Sequence, residues 1–167
     1  KPYCHVSLGV RGRHNAMNAL AAAAVAWLYG VEATPVERAL HAFTGAGRRL
    51  EYKGRYNGAD IYDDYAHHPR ELHALLETVK TMGYRRVLCA FQPHTYTRTK
   101  ALFNDFVQEL RGVDVAILTD IYAAREQNTV GVTSQDLVNA IPGSVYCPEL
   151  SELKQWRREK AREGDLI

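Results

Sequence analysis

Residues 60–71, reading DIYDDYAHHPRE, gather two adjacent carboxylates (Asp63, Asp64), a phenol (Tyr65) and two adjacent imidazoles (His67, His68). Carboxylates accept hydrogen bonds from sugar hydroxyls, a phenol donates or accepts, and imidazole changes charge near neutral pH. Ile61 and Tyr62 are strand formers, whereas Pro69 suits the first position of a helix. These groups therefore fall between the carboxyl end of a strand and the amino end of a helix. In an open α/β sheet that crevice binds ligands, and the helix amino end favours negative charge.

Two more polar segments follow apolar runs. Gln92-Pro93-His94-Thr95-Tyr96-Thr97-Arg98-Thr99 leaves the run 86–91, and Asp120-Ile121-Tyr122-Ala123-Ala124-Arg125-Glu126 leaves the run 113–118. If the three runs are neighbouring parallel strands, their carboxyl ends share one edge. Tyr65, His67, His94 and Arg98 would then hold a small zwitterion or carboxylate, because guanidinium grips a carboxylate bidentately. Asp63 or Asp64 would accept ribose hydroxyls. Each residue also has a plainer reading: Asp64 as an N-cap, His73 on a solvated helix face, Arg48-Arg49 as a solvated linker. His67-His68 could be a metal pair, but no third ligand at recognisable spacing follows. Convergence of three loops favours a site over these single readings.

The elements that must position these groups are legible in the periodicity. Residues 14–28 form an alanine-rich helix stopped by Gly30, and Thr34-Pro35 reads as the cap and first turn of a second helix to about residue 43. Gly45-Ala46-Gly47 then breaks the chain, and the pattern changes from helical to βαβα. Asn57-Gly58 signals a hairpin between 50–56 and 59–62. Helices are expected at 69–82, 100–110, 134–140 and 149–162, and strands at 86–91, 113–118, 145–146 and from 166. This alternation predicts an α/β fold: a Rossmann-like, mostly parallel sheet with flanking helices, preceded by a short helical arm.

Composition narrows the classes. Hydrophobic residues make up 46% and charged residues 24% of the 167, so a core can form. A net charge of +2 and the lack of a basic stripe argue against nucleic acid. The three cysteines (Cys4, Cys89, Cys147) are scattered, which suits free thiols, and Cys89 reads as inert core. No segment reads as a signal peptide, and the most apolar run, 19–28, is about half of what a bilayer requires. A cytoplasmic location without membrane contact is expected. No phosphate-cradling G-x-x-x-x-G-K-[ST] occurs, nor a nucleophile elbow or zinc motif. The opening without methionine and the close on Gly164-Asp165-Leu166-Ile167 lead us to expect a fragment of a longer protein.

Five motifs together resemble the Mur ligases, and among them the alanine-adding branch. They are Gly12-Arg13-His14-Asn15-Ala16-Met17-Asn18-Ala19-Leu20, Gly47-Arg48-Arg49, Asp63-Asp64-Tyr65-Ala66-His67-His68-Pro69, Phe91-Gln92-Pro93-His94 with Thr97-Arg98-Thr99, and Asp120-Ile121-Tyr122-Ala123-Ala124-Arg125-Glu126. The resemblance implies a three-domain enzyme. Residues 1–47 would be the last helices of a central ATPase domain and 48–167 most of a carboxyl-terminal Rossmann-like domain. It implies ATP and Mg2+ as cofactors, with the Mg2+ ligands mostly outside this segment. It also implies UDP-N-acetylmuramate and L-alanine as substrates, joined through an acyl phosphate in peptidoglycan synthesis.

Carried over by motif, His14, Asn15, Asn18, Arg49 and Asp64 would contact the nucleotide, and Tyr65, His67, His94 and Arg98 the incoming alanine. Thr95 stands where some relatives have arginine. Without a P-loop the segment alone is expected to be inactive. Two alternatives remain: a muropeptide-recycling ligase that attaches a tripeptide, and a non-catalytic nucleotide- or amino-acid-binding module. The apolar side of the arm is expected to be disordered, repacked, or paired with a second copy in a homo-dimer.

Overall fold

The structure, a computed structural model, describes residues 2–167. Two helices come first, α1 (Arg13–Leu28) and α2 (Ala33–Ala42), followed by a hairpin of β1 (Glu51–Tyr56) and β2 (Ala59–Asp63). The remainder runs α3 (Pro69–Lys80), β3 (Arg86–Phe91), α4 (Tyr96–Ala101), α5 (Phe103–Leu110), β4 (Val115–Leu118), α6 (Ser134–Ala140), β5 (Val145–Tyr146), α7 (Leu150–Lys160) and β6 (Asp165–Leu166). The six strands form one sheet in the order β1-β2-β6-β3-β4-β5. Strands β2, β6, β3, β4 and β5 are parallel, and β1 pairs antiparallel with β2 at the edge. The expected α/β architecture is present.

Local chemistry explains most boundaries. Asn57 and Gly58 both take positive φ (50° and 80°), as a two-residue hairpin turn demands. A Cβ at Gly58 would lie 2.8 Å from the Glu163 backbone, so glycine is required there twice over. Thr133 and Asp136 form a reciprocal capping box at the start of α6. The second helix begins two residues earlier than expected, at Ala33, so Thr34 lies inside it and no side chain caps it. The helix expected at 100–110 is two helices broken at Leu102, because Tyr96 already starts a turn inside what the polar composition suggested was loop.

One expectation about topology fails. The three chemistry-bearing strands are not neighbours, because β6 lies between β2 and β3. Arg86 holds it there with a bidentate grip on Asp165 (Nε to Oδ1 2.9 Å, Nη2 to Oδ2 2.6 Å). Asp165 is 2% exposed and also accepts from the Arg162 backbone N–H. On the other side, the Ile167 N–H donates to the Asp60 carbonyl and the Tyr62 N–H donates to the Ile167 carbonyl.

The core lies on both faces of this sheet. Leu72 and Leu76 of α3, Phe106 and Leu110 of α5, and Leu137 of α6 pack over Phe91 and Leu118. Leu153 and Trp156 of α7 cover Leu88, Ile117 and Cys147 opposite. Burial of these apolar chains is the main stabilising term. The arm contrasts with this: Ala23 is the one buried residue of α1, while Met17, Leu20, Val25, Trp27 and Leu28 are exposed.

Candidate functional site

Strand ends carry the first group of residues. Tyr65 and His67 follow β2, His94 follows β3, Arg98 sits in α4, and Tyr122 follows β4. Their rings form a ladder: Tyr65 to His67 at 5.3 Å, His67 to His94 at 5.9 Å, and His94 to Tyr122 at 5.2 Å between centroids. Arg98 Nη1 lies 3.4 Å from His94 Nδ1, so the guanidinium joins the ladder at His94. Although β2 and β3 are not adjacent, the two-residue β6 does not separate the loops above it. All four expected acceptor residues (Tyr65, His67, His94 and Arg98) are thus brought together.

The backbone fixes this group. A parallel bridge joins His94 and Tyr122: the Thr95 N–H donates to the Tyr122 carbonyl at 2.9 Å, and the Tyr122 N–H donates to the Pro93 carbonyl at 2.8 Å. Thr95 itself adopts φ 67°, a conformation that a β-branched residue takes only when its surroundings impose it. Thr97 then donates through its backbone N–H and its hydroxyl to Glu126, at 2.9 Å and 2.6 Å. Those hydrogen bonds, the hydroxyl's foremost, hold the Glu126 carboxyl below the usual carboxylate range. On the neighbouring edge, hydrogen bonding to Asp120 and then burial push the Tyr146 phenol up to about 12.

The second group faces the arm. His14, Asn15, Asn18, Arg49 and Asp64 all line one cavity of about 850 Å³, together with Arg11, Arg70 and Glu71. Asn15 and Asp64 are half-buried, whereas His14, Asn18 and Arg49 are exposed. Asn15 Nδ2 donates to the Arg11 carbonyl at 2.7 Å, which anchors the start of α1. Arginines and amides line this cavity together with the carboxylates of Asp64 and Glu71, a mixture that suits a polyanionic, hydroxyl-bearing ligand. A second cavity, about 470 Å³, opens between β2 and β3 beside Ile167. Its walls are mostly core side chains such as Leu75, Leu76 and Leu153, joined by Asp63, Asp64, Lys154 and Arg157.

The aspartates behave differently from expectation. Asp64 is not the cap of α3; His68 is, accepting from the Arg70 N–H at 3.2 Å. Asp64 instead accepts from the backbone N–H groups of Leu50 and Ala66, both at 2.7 Å. Asp63 pairs with Arg48 at 3.3 Å. Both carboxylates thus tie down the 48–50 link, where Arg48 and Leu50 hold φ 56° and 47°. Each Asp64 oxygen accepts one of these hydrogen bonds and retains a further lone pair, and the residue lines the cavity.

Three further residues were not singled out by sequence. Arg48 lies over the Tyr65 ring at 4.6 Å, Tyr122 closes the ladder, and Glu71 bridges the two groups. Glu71 accepts from the His67 N–H at 3.0 Å and lies 3.8 Å from Arg49. Burial works to raise its pKa, but the His67 backbone N–H, together with the neighbouring His67 and Arg49 side chains, outweighs it and holds the carboxyl below its ordinary value. Glu71, two residues beyond Pro69, could have been suspected from its place in the first turn of α3. His73 is exposed as expected, although it meets Glu109 at 3.0 Å. Partly buried against the core, the Cys89 thiol is pushed up to about 12 and stays protonated at neutral pH.

A Rossmann-like sheet with polar residues gathered above its carboxyl-end loops and along the arm-facing cavity defines an α/β domain, and comparison with known proteins says which. The family model described as "Mur ligase, glutamate ligase domain" matches residues 48–167. The chain belongs to the Mur ligase family. It is similar to the UDP-N-acetylmuramate–L-alanine ligase of Caldanaerobacter subterraneus, 43% identical over 98% of this chain and 36% of that one. It is likewise similar to the enzyme of the same name from Clostridium beijerinckii, 47% identical over 98% and 36%. The chain therefore spans about a third of the length of the curated relatives it matches, 36% in these two cases. Among solved structures, the UDP-N-acetylmuramate–alanine ligase of Thermotoga maritima superposes with TM-score 0.76 at 27% identity, covering 96% of this chain and 35% of that one. A murein peptide ligase from Psychrobacter arcticus, at 24% identity and TM-score 0.69 over 97% and 34%, shares the fold.

Proposed function

We propose that this chain is the acceptor-binding portion of an ATP-dependent ligase that joins L-alanine to UDP-N-acetylmuramate in peptidoglycan synthesis. Residues 1–47 would close a preceding ATPase domain, and 48–167 would present the amino acid. The observation that carries this reading is the ladder of Tyr65, His67 and His94 ending on Arg98. A guanidinium beside His94, at the end of a row of two imidazoles and a phenol, suits the carboxylate of a small amino acid while leaving polar groups for its amine. The relatives at 43% and 47% identity are enzymes of that name, which supports the same assignment.

The nucleotide would lie in the arm-facing cavity, with Arg49 toward its phosphates, Asp64 toward its ribose, and His14, Asn15 and Asn18 at its far end. ATP, when bound, supplies the phosphoryl group that activates the muramyl carboxylate. The chain's own residues bind, orient and exclude water from the acyl phosphate. Among the described residues no cluster of three or more His, Cys, Asp or Glu could hold a metal. No helix among them is long and apolar enough to cross a membrane; a cytoplasmic reaction with nucleotide-linked sugars suits that.

The test is acceptor choice in the intact protein that carries this segment. Alanine accepted in preference to a tripeptide, with Arg98→Ala raising the KM for alanine, supports the reading. Preference for the tripeptide assigns the protein to muropeptide recycling, and absence of ligation with either acceptor leaves a binding module. The 167-residue chain alone is expected to show neither ligation nor ATP hydrolysis.

A further inference from the structure

The two histidines of the ladder sit in opposite hydrogen-bonding environments. Around His67 Nδ1 lie the Tyr65 carbonyl at 2.9 Å and Glu71 Oε2 at 3.5 Å. Both are acceptors without a hydrogen, so Nδ1 must carry the proton. Among the described residues Nε2 has no hydrogen-bond partner, which leaves its lone pair free. His94 is the reverse. Its Nδ1 faces Arg98 Nη1 at 3.4 Å, and guanidinium has only donors, so Nδ1 is the acceptor and the proton sits on Nε2. One imidazole therefore offers a base and the other a donor, with their rings 5.9 Å apart.

We propose that His67 is the general base of the ligation and that Glu71 is the residue that positions it, while His94 acts with Arg98 as a donor to the acceptor's carboxylate. This rests on the ligase reading above. The incoming amino acid arrives as an ammonium. It gives one proton to His67 Nε2, which bares the nitrogen lone pair. That pair forms the C–N bond to the acyl carbon as the C–O bond to phosphate breaks, and the phosphate leaves with the bonding electrons. The second proton of the nitrogen goes to the departing phosphate. The imidazolium formed on His67 is held by the Tyr65 carbonyl and the Glu71 carboxylate, which strengthens the base. Glu71 is suited to this because its backbone bond from the His67 N–H fixes its place and its own charge persists through neutral pH. A basic role could not pass to His94, whose one free nitrogen lone pair already faces a cation.

Every charged or titratable neighbour of His67 bears on the outcome. Glu71 of α3 favours the imidazolium. Arg49 acts against it by sharing Glu71, and Arg98 and Arg48 act against it from behind His94 and Tyr65. Tyr65 and His94 face it edge-on or tilted and are neutral in this scheme.

The experiment has two arms. In the 167-residue chain, long-range 15N NMR should show His67 as the Nδ1–H tautomer and His94 as the Nε2–H tautomer. Glu71→Gln keeps an oxygen for the His67 N–H but removes the charge, so the pH at which His67 takes up its second proton should fall, with His94 unmoved. Glu71→Asp should restore part of that fall. In the intact protein, Glu71→Gln should lower kcat about 10-fold or more, with little change in the KM for alanine, and move the acid limb of the kcat profile to lower pH. An Nε2–H tautomer at His67, or a kcat profile unchanged by Glu71→Gln, overturns the proposal. Wild-type protein that ligates no amino acid overturns the ligase reading itself, and the NMR arm tells that failure apart.

Discussion

The strand-end ladder and the arm-facing cavity are neighbours, yet they are built in different ways. Tyr65, His67, His94, Arg98 and Tyr122 hang from strand ends locked by a backbone bridge, Asp165 anchors the sheet beneath them, and a core packs both faces. The cavity has one wall of that kind and one wall from α1, which buries Ala23 alone. Its two walls meet through a short link in which Arg48 and Leu50 both hold positive φ. A site on packed strands is preformed, whereas a site closed by a sparsely packed arm forms as the arm is placed. The first arrangement suits a small acceptor that needs exact orientation, and the second suits a large ligand bound by closure.

The largest test of that contrast removes the anchor. Asp165→Asn leaves Arg86 half of its grip, and breaking a buried ion pair this way costs about 3–5 kcal/mol, read as a lower denaturation midpoint. The pH dependence follows from the folded-state carboxyl being held low, chiefly by the Arg86 guanidinium and against burial. Its stabilisation is fully present above the unfolded value of about 3.9 and is lost as pH falls through the lower folded value. Acid unfolding should therefore flatten in the variant.

Next comes Arg98→Ala. Loss of a carboxylate's charged partner costs about 2–5 kcal/mol, or roughly 30-fold and upward in the KM for alanine, with the nucleotide KM nearly unchanged. Gly12→Ala sharpens the comparison from the other side. Gly12 holds φ 97°, and a Cβ there would come within 2.6 Å of Thr78 Oγ1, so the arm must shift. A cost of about 1–3 kcal/mol should appear as weaker nucleotide binding with alanine binding intact. The smallest effect is Tyr122→Ala: losing one tilted aromatic contact, worth about 0.5–1.5 kcal/mol, should raise the KM for alanine a few-fold. Equal effects of Gly12→Ala on both ligands would erase the distinction between the two regions.

Much of this organisation was legible in the residues. Apolar runs at 86–91 and 113–118 gave β3 and β4, and Asn57-Gly58 gave the hairpin, because period and turn chemistry are local signals. The place of β6 was not legible: two strand residues carry no period, and their position depends on the Arg86–Asp165 pair across 79 residues. The split of α4 from α5 was hidden because Tyr96-Thr97-Arg98-Thr99 is polar enough to read as loop. At the site, residue types identified the ladder, but the duties of Asp63 and Asp64 depend on a positive φ at Leu50 that no composition announces. Tyr122 carried a signal that went unused, since it follows β4 as His94 follows β3.

The central claim is that the strand-end ladder is a preformed seat for a small amino acid. Titrating L-alanine into the 167-residue chain, observed by NMR at backbone and imidazole signals, tests it most directly. Shifts should centre on Tyr65, His67, His94, Arg98 and Tyr122 and vanish in Arg98→Ala, without change in α1. Shifts centred on the α1 wall, or an unaltered response in Arg98→Ala, would contradict it.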